Sequence, residues 1–578
     1  WPTYIKGHSM NKKILLGAAI SLASLQVTAL PFAPTDARSM AMGGTGVSSA
    51  EVASTVQFNP ALLANTREDD HFGLNIPIGG SFSDEDDFID EVDDFDTESP
   101  LAPGTGKTNI DLLSDTLDIA SDEINGLPGV ATAAELVATI TADISSNGGT
   151  YDSVDLSNAN TALSNKVAGL RGSVISTDDD PATPANSDLV LYADAVATDL
   201  DDLNNRALRL NLGGNLAVAV PSKKFSMALS TGAQGVFSGK IIVPKSDTDQ
   251  LRNYTQATDG YLLNVVGVTT ATSALVTAQA DLEAAGIGAT QTQIDAAEDA
   301  IAALNTAQTS LTGYNYGGDS TVADDGEAVI FENGELKAGD AQLGSTVHMI
   351  GAGIGDIGLT VSRVFNISGH DIAFGVTPKL QMVTVFDYIF QLDGEDCTDN
   401  NNDGDTDDAG ECVTVEFDED ALSDNTEEYS TFNMDIGAAY QFGAEKQFQA
   451  GLVIKNLMSK DFDSSNGETI SISPMIRAGV SHKTDWTKVA FDLDLTENDP
   501  IAFEDATQYA SLGAELNLLR ILQLRAGYRA NLAASGQDVV TAGIGFSPLA
   551  IHMNLGLMAN TSDPEKEAGI AFEFGVEF

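Results

Sequence analysis

Cysteine is almost missing from this chain: Cys397 and Cys412 are the only two in 578 residues. There is no Cys-x-x-Cys, so thiol–disulfide exchange has no chemistry to rest on. An even pair in an exported protein instead favours a single disulfide, Cys397–Cys412. Basic residues are scarce as well. Lys+Arg 28 against Asp+Glu 85 gives a net charge of −57, which excludes nucleic acid as a partner and disfavours anionic lipid. No run beyond the first thirty residues reaches the roughly 20 apolar residues of a membrane helix. The six histidines (His8, His71, His348, His370, His482, His552) form no metal-spaced pair, and no Gly-x-Ser-x-Gly elbow occurs. The expectation is a protein that is not an enzyme.

At the amino end, Trp1 to Ser9 read as an extension upstream of a start at Met10. Lys12 and Lys13 give a positive segment, Ile14 to Leu25 an apolar run, and Val27-Thr28-Ala29 the small residues of a cleavage site. Residues 1–29 are therefore expected to be extension plus signal peptide, too short to span a bilayer, with export to the envelope of a Gram-negative bacterium.

The other end is a strict alternation, with Ile570, Phe572, Phe574, Val576 and Phe578 on one face and Gly569, Ala571, Glu573, Gly575 and Glu577 on the other. An apolar strand in that place suits an outer-membrane barrel, apolar toward lipid and polar toward the lumen. It resembles the C-terminal signal read by the barrel-assembly machinery. The alternative is an edge strand of an antiparallel sandwich. Similar segments recur at 71–79, 207–220, 225–243, 345–365, 372–390, 429–442, 447–458, 469–482, 486–496, 507–518, 521–532, 538–546, 550–559 and 568–578. The expectation is all-β: a transmembrane antiparallel β-barrel of about 14 strands over residues 70–578, in contact with outer-membrane lipid. Alternate connections are short (221–224, 366–370, 443–446, 483–485, 517–520, 547–548), and every long insert falls in the other set. That parity puts both chain ends at the periplasmic rim and the inserts outside.

Inserts 80–206 and 244–344 do not alternate. Leu112, Leu113, Leu117 and Ile124, then Leu136, Val137, Ile140 and Ile144, step at helical intervals. In 271–312, Ile294, Ala297, Ile301, Leu304 and Leu311 predict an amphipathic helix within a helical pair. The acidic tracts Asp84–Asp87, Asp93-Asp94 and Asp178–Asp180 are expected to be solvated.

Before the first strand, residues 30–69 carry Asp36-Ala-Arg-Ser-Met-Ala-Met-Gly-Gly-Thr-Gly-Val47 and Phe58-Asn-Pro-Ala-Leu-Leu-Ala64. Gly43, Gly44 and Gly46 permit tight backbone approach, and Pro60 pushes Asn59 toward an extended conformation. A phosphate loop does not fit, because no strand precedes the glycines and no Gly-Lys-Ser/Thr follows. Over about residues 30–66 these blocks resemble the exported barrel family named for the conjugal transfer protein TraF. More distantly they resemble the FadL-type outer-membrane transporters of hydrophobic compounds. The resemblance implies a 14-stranded barrel whose N-terminal hatch contains Asn59, Pro60 and Ala61, and a channel for a small hydrophobic ligand. The alternative is a structural or adhesive envelope protein acting in conjugation or cell contact through its external loops.

The insert 392–428 holds the one segment with metal chemistry. Asp399, Asn401 and Asp403 have the one-three-five spacing of a calcium loop, with Gly404 at the turn. The carbonyl of Asp405 and the carboxylates of Asp407 and Glu411 would complete an oxygen shell for a structural calcium ion. Position twelve is Gly410 and no helices flank the loop, so the pattern is closer to Asp-rich calcium repeats than to a helix–loop–helix site. A Cys397–Cys412 bond would close a loop of about 15 residues, worth roughly 3 kcal/mol in the chain-entropy account.

Overall fold

The computed structural model describes residues 35–65, 71–84, 86–116, 153–172, 187–222, 225–317, 329–336, 344–391, 395–397, 412–414, 425–498, 503, 506–518 and 521–578. The signal-peptide segment 1–29, the acidic tract Asp178–Asp180 and the whole calcium-type sequence 398–411 lie outside them.

Fourteen antiparallel strands close into one barrel. They are β1 Gly73–Ser83, β2 Ala207–Val220, β3 Ser226–Ile242, β4 Thr346–Ile367, β5 His370–Gln391, β6 Thr426–Phe442 and β7 Phe448–Lys455, followed by β8 Met475–Lys483, β9 Thr487–Asp494, β10 Tyr509–Leu518, β11 Leu522–Asn531, β12 Val539–Phe546, β13 Ile551–Asn560 and β14 Glu567–Glu577. Each pairs with its sequence neighbours, and β14 returns to β1 in the register Ile78↔Phe572.

The wall is inverted relative to a water-soluble sheet. Ile78, Leu229, Leu380, Phe491, Leu512 and Phe572 project outward and are exposed. The lumenal phase of the wall strands buries Arg477, Asp492, Glu515, Arg525 and Glu573. Closure removes the edge, so every strand finds its backbone partner inside the wall. An apolar exterior with a polar interior and no open edge is what a lipid bilayer selects, and the protein is an outer-membrane β-barrel. At the rim of short turns, aromatic rings cluster: Phe72 stacks on Phe578 at 5.2 Å and Phe442 on Phe448 at 5.3 Å. Such girdles mark the membrane–water boundary.

Strands β4 and β5 have 22 residues each, well over the roughly 9–11 that cross the hydrocarbon layer. Two expected boundaries move. β1 continues to Ser83, so the first insert begins after it rather than at residue 80. The expected single strand 469–482 is two: Thr469–Ile472 pairs with Lys460–Asp463 as a separate hairpin, and only Met475–Lys483 enters the wall. Ile470, Ile472, Ile476, Ala478 and Val480 keep one phase through both, and the only break in it is Pro474, which lies between the two strands where the chain leaves the wall. Asp84 also departs from expectation. It is buried, and its carboxylate accepts from the backbone N–H groups of Phe88 (2.6 Å) and Ile89 (2.7 Å), starting a helix at Phe88.

Residues Glu91–Asn204 and Val243–Gly344 form a second compact unit. Its helices include Ser153–Arg171, Asp188–Leu203, the 41-residue Lys245–Ala285 and Gln291–Thr312. The long helix buries Leu262, Val265, Val268 and Leu275 against Leu163, Val167, Leu304 and Leu311. Thr290 and Gln293 form a capping box that starts the last helix. Its buried face is Ala300, Leu304 and Leu311, whereas Ile294 and Ile301 are exposed. The helical pair is as expected, and Ala297, Leu304 and Leu311 of the assigned face pack in its core; Ile294 and Ile301 do not. Lys245–Gly288 is long and apolar enough to cross a membrane by length and composition, one 18-residue stretch of it reaching a mean hydropathy of 1.4, although no such stretch was expected from the sequence. The apolar positions of that helix include the buried face of this unit, Leu262, Val265, Val268, Ala271 and Leu275.

Candidate functional site: the hatch and its seat

Residues 35–65 fill the lumen without joining the sheet. Asp36 caps the short helix Ala37–Met40 by accepting from Ser39 N at 2.7 Å. The chain then reverses at Gly43 (φ 70°) and Gly44 (φ 85°), a left-handed conformation that favours glycine. A Cβ at Gly46 would strike the Phe58 ring. The one-turn helix Thr55–Phe58 leads into Asn59, which is extended at φ −151° and ψ 107° as its following proline requires. A 3-10 segment, Pro60–Asn65, completes the hatch.

Asn59 is fully buried and ties three parts together. Its amide donates to the Val47 carbonyl (3.0 Å) and to the Ala438 carbonyl of β6 (3.2 Å). Its Oδ1 accepts from Ala61 N at 3.1 Å. The Asn-Pro-Ala motif therefore sits inside the barrel, at a contact between residues 35–65 and the wall.

The wall receives the hatch in slots made by cross-strand glycine pairs. Gly375 faces Gly437, Gly513 faces Gly527, and Gly543 faces Gly556. A Cβ at these positions would overlap Pro60, Asn59, Met42, Gly43, Ala41 and Ala37 respectively. Side chains on the wall would hold the hatch backbone away; paired glycines let it sit against the sheet.

Charge fixes the orientation. Arg38 of the hatch reaches Glu515 at 2.9 Å, and Arg525 meets the same carboxylate at 2.8 Å. Asp492 cradles the glycine turn, accepting from Gly46 N (2.7 Å) and Val47 N (2.9 Å). Glu51 lies 3.1 Å from Lys483 and closer still to Lys488. Burial would raise the Glu51 carboxyl, but those ammonium groups and Arg38 outweigh it and hold it well below the usual range. Asp36 goes the other way: burial, with the Glu573 carboxylate nearby, pushes its carboxyl up to about 7. The Arg38–Glu515–Arg525 cluster is buried, and pairs of that kind add little net stability but are costly to break, so they specify one seated position.

Two cavities open beside the hatch. One, of about 110 Å³ at the rim of short turns, is lined by hatch residues from Ser48 to Val52 and by Lys446, Lys483 and Lys488. The other, of about 70 Å³, lies against Val56–Phe58 and is lined by Asp356, Lys379, Asp435 and Lys455, with Lys379 and Asp435 paired at 2.9 Å.

Toward the opposite rim the lumenal face turns apolar. Ile350, Ala352, Ile354, Val383 and Val385 are buried under Phe462, Ile470 and Ile472 of the hairpin. Asp387 anchors that hairpin: its carboxylate accepts from Ser464 Oγ and lies 2.7 Å from His348 Nε2, and its carbonyl accepts from Asn466. The three residue types match a hydrolytic triad, but the order does not, because the carboxylate rather than the imidazole stands between the other two.

Asp399, Asn401, Asp403, Asp405, Asp407 and Glu411 fall outside the described residues. Among the described residues no group of three or more His, Cys, Asp or Glu is placed to hold a metal ion. Cys397 and Cys412 stand directly opposite each other in a short antiparallel pair, Glu395–Cys397 with Cys412–Thr414. Opposed positions in such a ladder are about 4.5–5.5 Å apart at Cα, within the span a disulfide bridges. The lumenal charges Arg38, Glu51, Lys488, Asp492 and Glu515 were not picked out from the sequence. A signal existed, since Lys488, Asp492 and Asp494 occupy the phase opposite Val489 and Phe491.

The family model described as F plasmid transfer operon, TraF, protein matches residues 56–494. No curated protein matches the chain in sequence. Among solved structures, the Ralstonia pickettii toluene transporter TbuX is similar at 8% identity with a TM-score of 0.37, covering 94% of this chain and 98% of its own. A Pseudomonas aeruginosa FadL homologue matches at 9% identity and a TM-score of 0.36, covering 96% and 99%. The Pseudomonas putida toluene transporter TodX matches at 10% identity and a TM-score of 0.33, covering 96% and 98%.

Proposed function

The chain belongs to the F plasmid transfer operon, TraF, protein family, and we propose that it serves the outer membrane as a non-enzymatic channel for small hydrophobic molecules, plugged by its N-terminal hatch. The observation that carries this reading is the way the hatch is held. Among the described residues it contributes no strand to the barrel, so it can shift by exchanging side-chain contacts while the wall keeps every ladder. The substrate class follows from the apolar lumenal patch Ile350, Ala352, Ile354, Val383 and Val385, which the hairpin at Phe462 covers. A small apolar molecule can replace the hairpin's side chains there at little cost in desolvation.

The test is uptake of small aromatic hydrocarbons, together with ion conductance, in vesicles holding the purified barrel. Uptake above that of empty vesicles is expected, rising in Phe462→Ala. A folded barrel that passes neither hydrocarbon nor ions would sink the channel reading.

One observation favours a second role: the lumen is filled at two levels, by the hatch and by the hairpin. A sealed barrel suits a structural envelope protein that uses its long inserts for cell contact in conjugation. Here deletion of residues 398–411 would abolish partner binding and leave the barrel intact.

A further inference from the structure

The cavity at the rim of short turns has an excess of basic groups. Three ammonium groups, Lys446, Lys483 and Lys488, line it against two carboxylates, Glu51 and Glu577. This occurs in a chain where acidic residues outnumber basic ones by 85 to 28. The remaining polar lining is Ser, Asn and Gln, and two of its donors have no acceptor. Ser48 Oγ and Asn65 Nδ2 are buried without a hydrogen-bond partner, and Ser48 is only 1% exposed. Unpartnered buried donors are costly, and a native protein keeps few of them. The volume, about 110 Å³, holds several waters or one small oxyanion. In outer-membrane barrels the short-turn rim is the periplasmic one, so the cavity opens to that compartment.

Glu51 stands where such an anion would bind. It is the hatch's own carboxylate, it shares both Lys483 and Lys488 through a single oxygen, Oε1, and its side chain is 39% exposed. An oxygen of a diffusible anion can take over the same ammonium groups, and the hatch then loses a tether. We propose that this cavity is a periplasmic binding site for a small oxyanion, a carboxylate or a phosphate, which competes with Glu51 for Lys483 and Lys488 and so loosens the hatch. The loosening rests on the reading of residues 35–65 as a movable plug; the binding site does not.

The experiment uses the full chain in detergent at fixed ionic strength, titrated calorimetrically with inorganic phosphate and separately with acetate. Saturable binding of at least one is expected. Lys483→Gln, at a position 42% exposed, should weaken it tenfold or more without disturbing the barrel. Glu51→Gln should strengthen it several-fold, because the internal competitor is gone. That opposite sign separates a binding site from a merely structural ion pair. Binding of phosphate alone assigns the site to phosphoryl groups, and of acetate alone to carboxylates. No saturable binding, or binding unmoved by Glu51→Gln, overturns the site. Hydrogen exchange of the Gly46–Ser54 amides reads the coupling. It should rise with the anion in the wild type and stay flat in Lys483→Gln; unchanged exchange with anion bound overturns the loosening. Neither readout involves flux, so a protein that binds the anion but passes no solute refutes the channel and leaves the site standing.

Discussion

Gly437 of β6 lies so close beneath Asn59 that a single methyl group on it would overlap the Asn59 Oδ1. The asparagine cannot retreat, because its amide is already committed to the Val47 and Ala438 carbonyls. Gly437→Ala should therefore unseat the motif at a cost of about 1–3 kcal/mol, as overpacking does. Protease cleavage within residues 35–65 should accelerate about tenfold or more while the barrel stays folded. Unchanged cleavage would mean that the slot is not a constraint.

Glu515 sits between two guanidinium groups, from Arg38 at 2.9 Å and Arg525 at 2.8 Å. Glu515→Gln keeps the shape and removes the charge, leaving two buried cations without their shared partner. Breaking a buried pair in this way costs about 3–5 kcal/mol. The thermal midpoint should drop, and Arg38→Met combined with Glu515→Gln should recover part of the loss. A double variant no more stable than the single one would contradict the pairing.

Asp36 gives the hatch a pH dependence. Its carboxyl is raised from the ordinary 3.8 to about 7. The seated hatch thus holds a proton that the released hatch gives up, and this contribution is complete below the ordinary value and lost as pH rises through about 7. Glu573, Arg38 and His552 are the charged or titratable groups that act on it. Glu51 works in the opposite sense, because its lowered carboxyl loses its contribution only as pH falls below the usual carboxylate range. The protection of the hatch amides, after allowance for their base-catalysed intrinsic exchange, should therefore fall from pH 5 to pH 8 in the wild type and stay level in Asp36→Asn. An equal slope in both would exclude Asp36 as the source.

For the acidic insert we propose that Cys397 and Cys412 are joined and that the loop between them binds calcium. Mass spectrometry of the untreated protein should show both thiols blocked, and calcium should bind with a midpoint that weakens several-fold on reduction or in Asp403→Asn. Free thiols, or calcium binding indifferent to both changes, would remove the proposal.

The barrel was legible because its exterior obeys a period of two with little interference. Leu512 and Leu516, or Phe572 and Phe574, mark the lipid face unaided. The parity of short and long connections fixed the strand number as well. The hairpin at Lys460–Ile472 was masked, since Ile470 and Ile472 bury on another surface with the same alternation that the wall uses, and only Pro474 marks the break. The helical face was legible only in part, for a related reason. Ile294 and Ile301 are the most apolar residues of their helix, yet the packing surface runs through Ala300, Leu304 and Leu311. The glycine slots were hidden altogether: isolated glycines read as weak points in a strand, and only the register shows Gly513 facing Gly527. Lumenal charges such as Arg525 could have been found from phase alone; their pairing could not, because partners on neighbouring strands are set by stagger.

The seam between β1 and β14, where Gly73 meets Glu577, also dictates an order of events during folding. It joins the strands most distant along the chain, and such contacts form last because closing the longest loop costs the most entropy. Once that seam is zipped, the glycine slots are enclosed, and residues 35–65 would have to thread in through a rim. The economical route is for the sheet to curl around a segment already lodged on β10 to β13, so that the plug acts as a mandrel on which the cylinder is rolled. Pulse-labelled folding in which the β1–β14 amides become protected before those of Gly43 to Val47 would contradict this order.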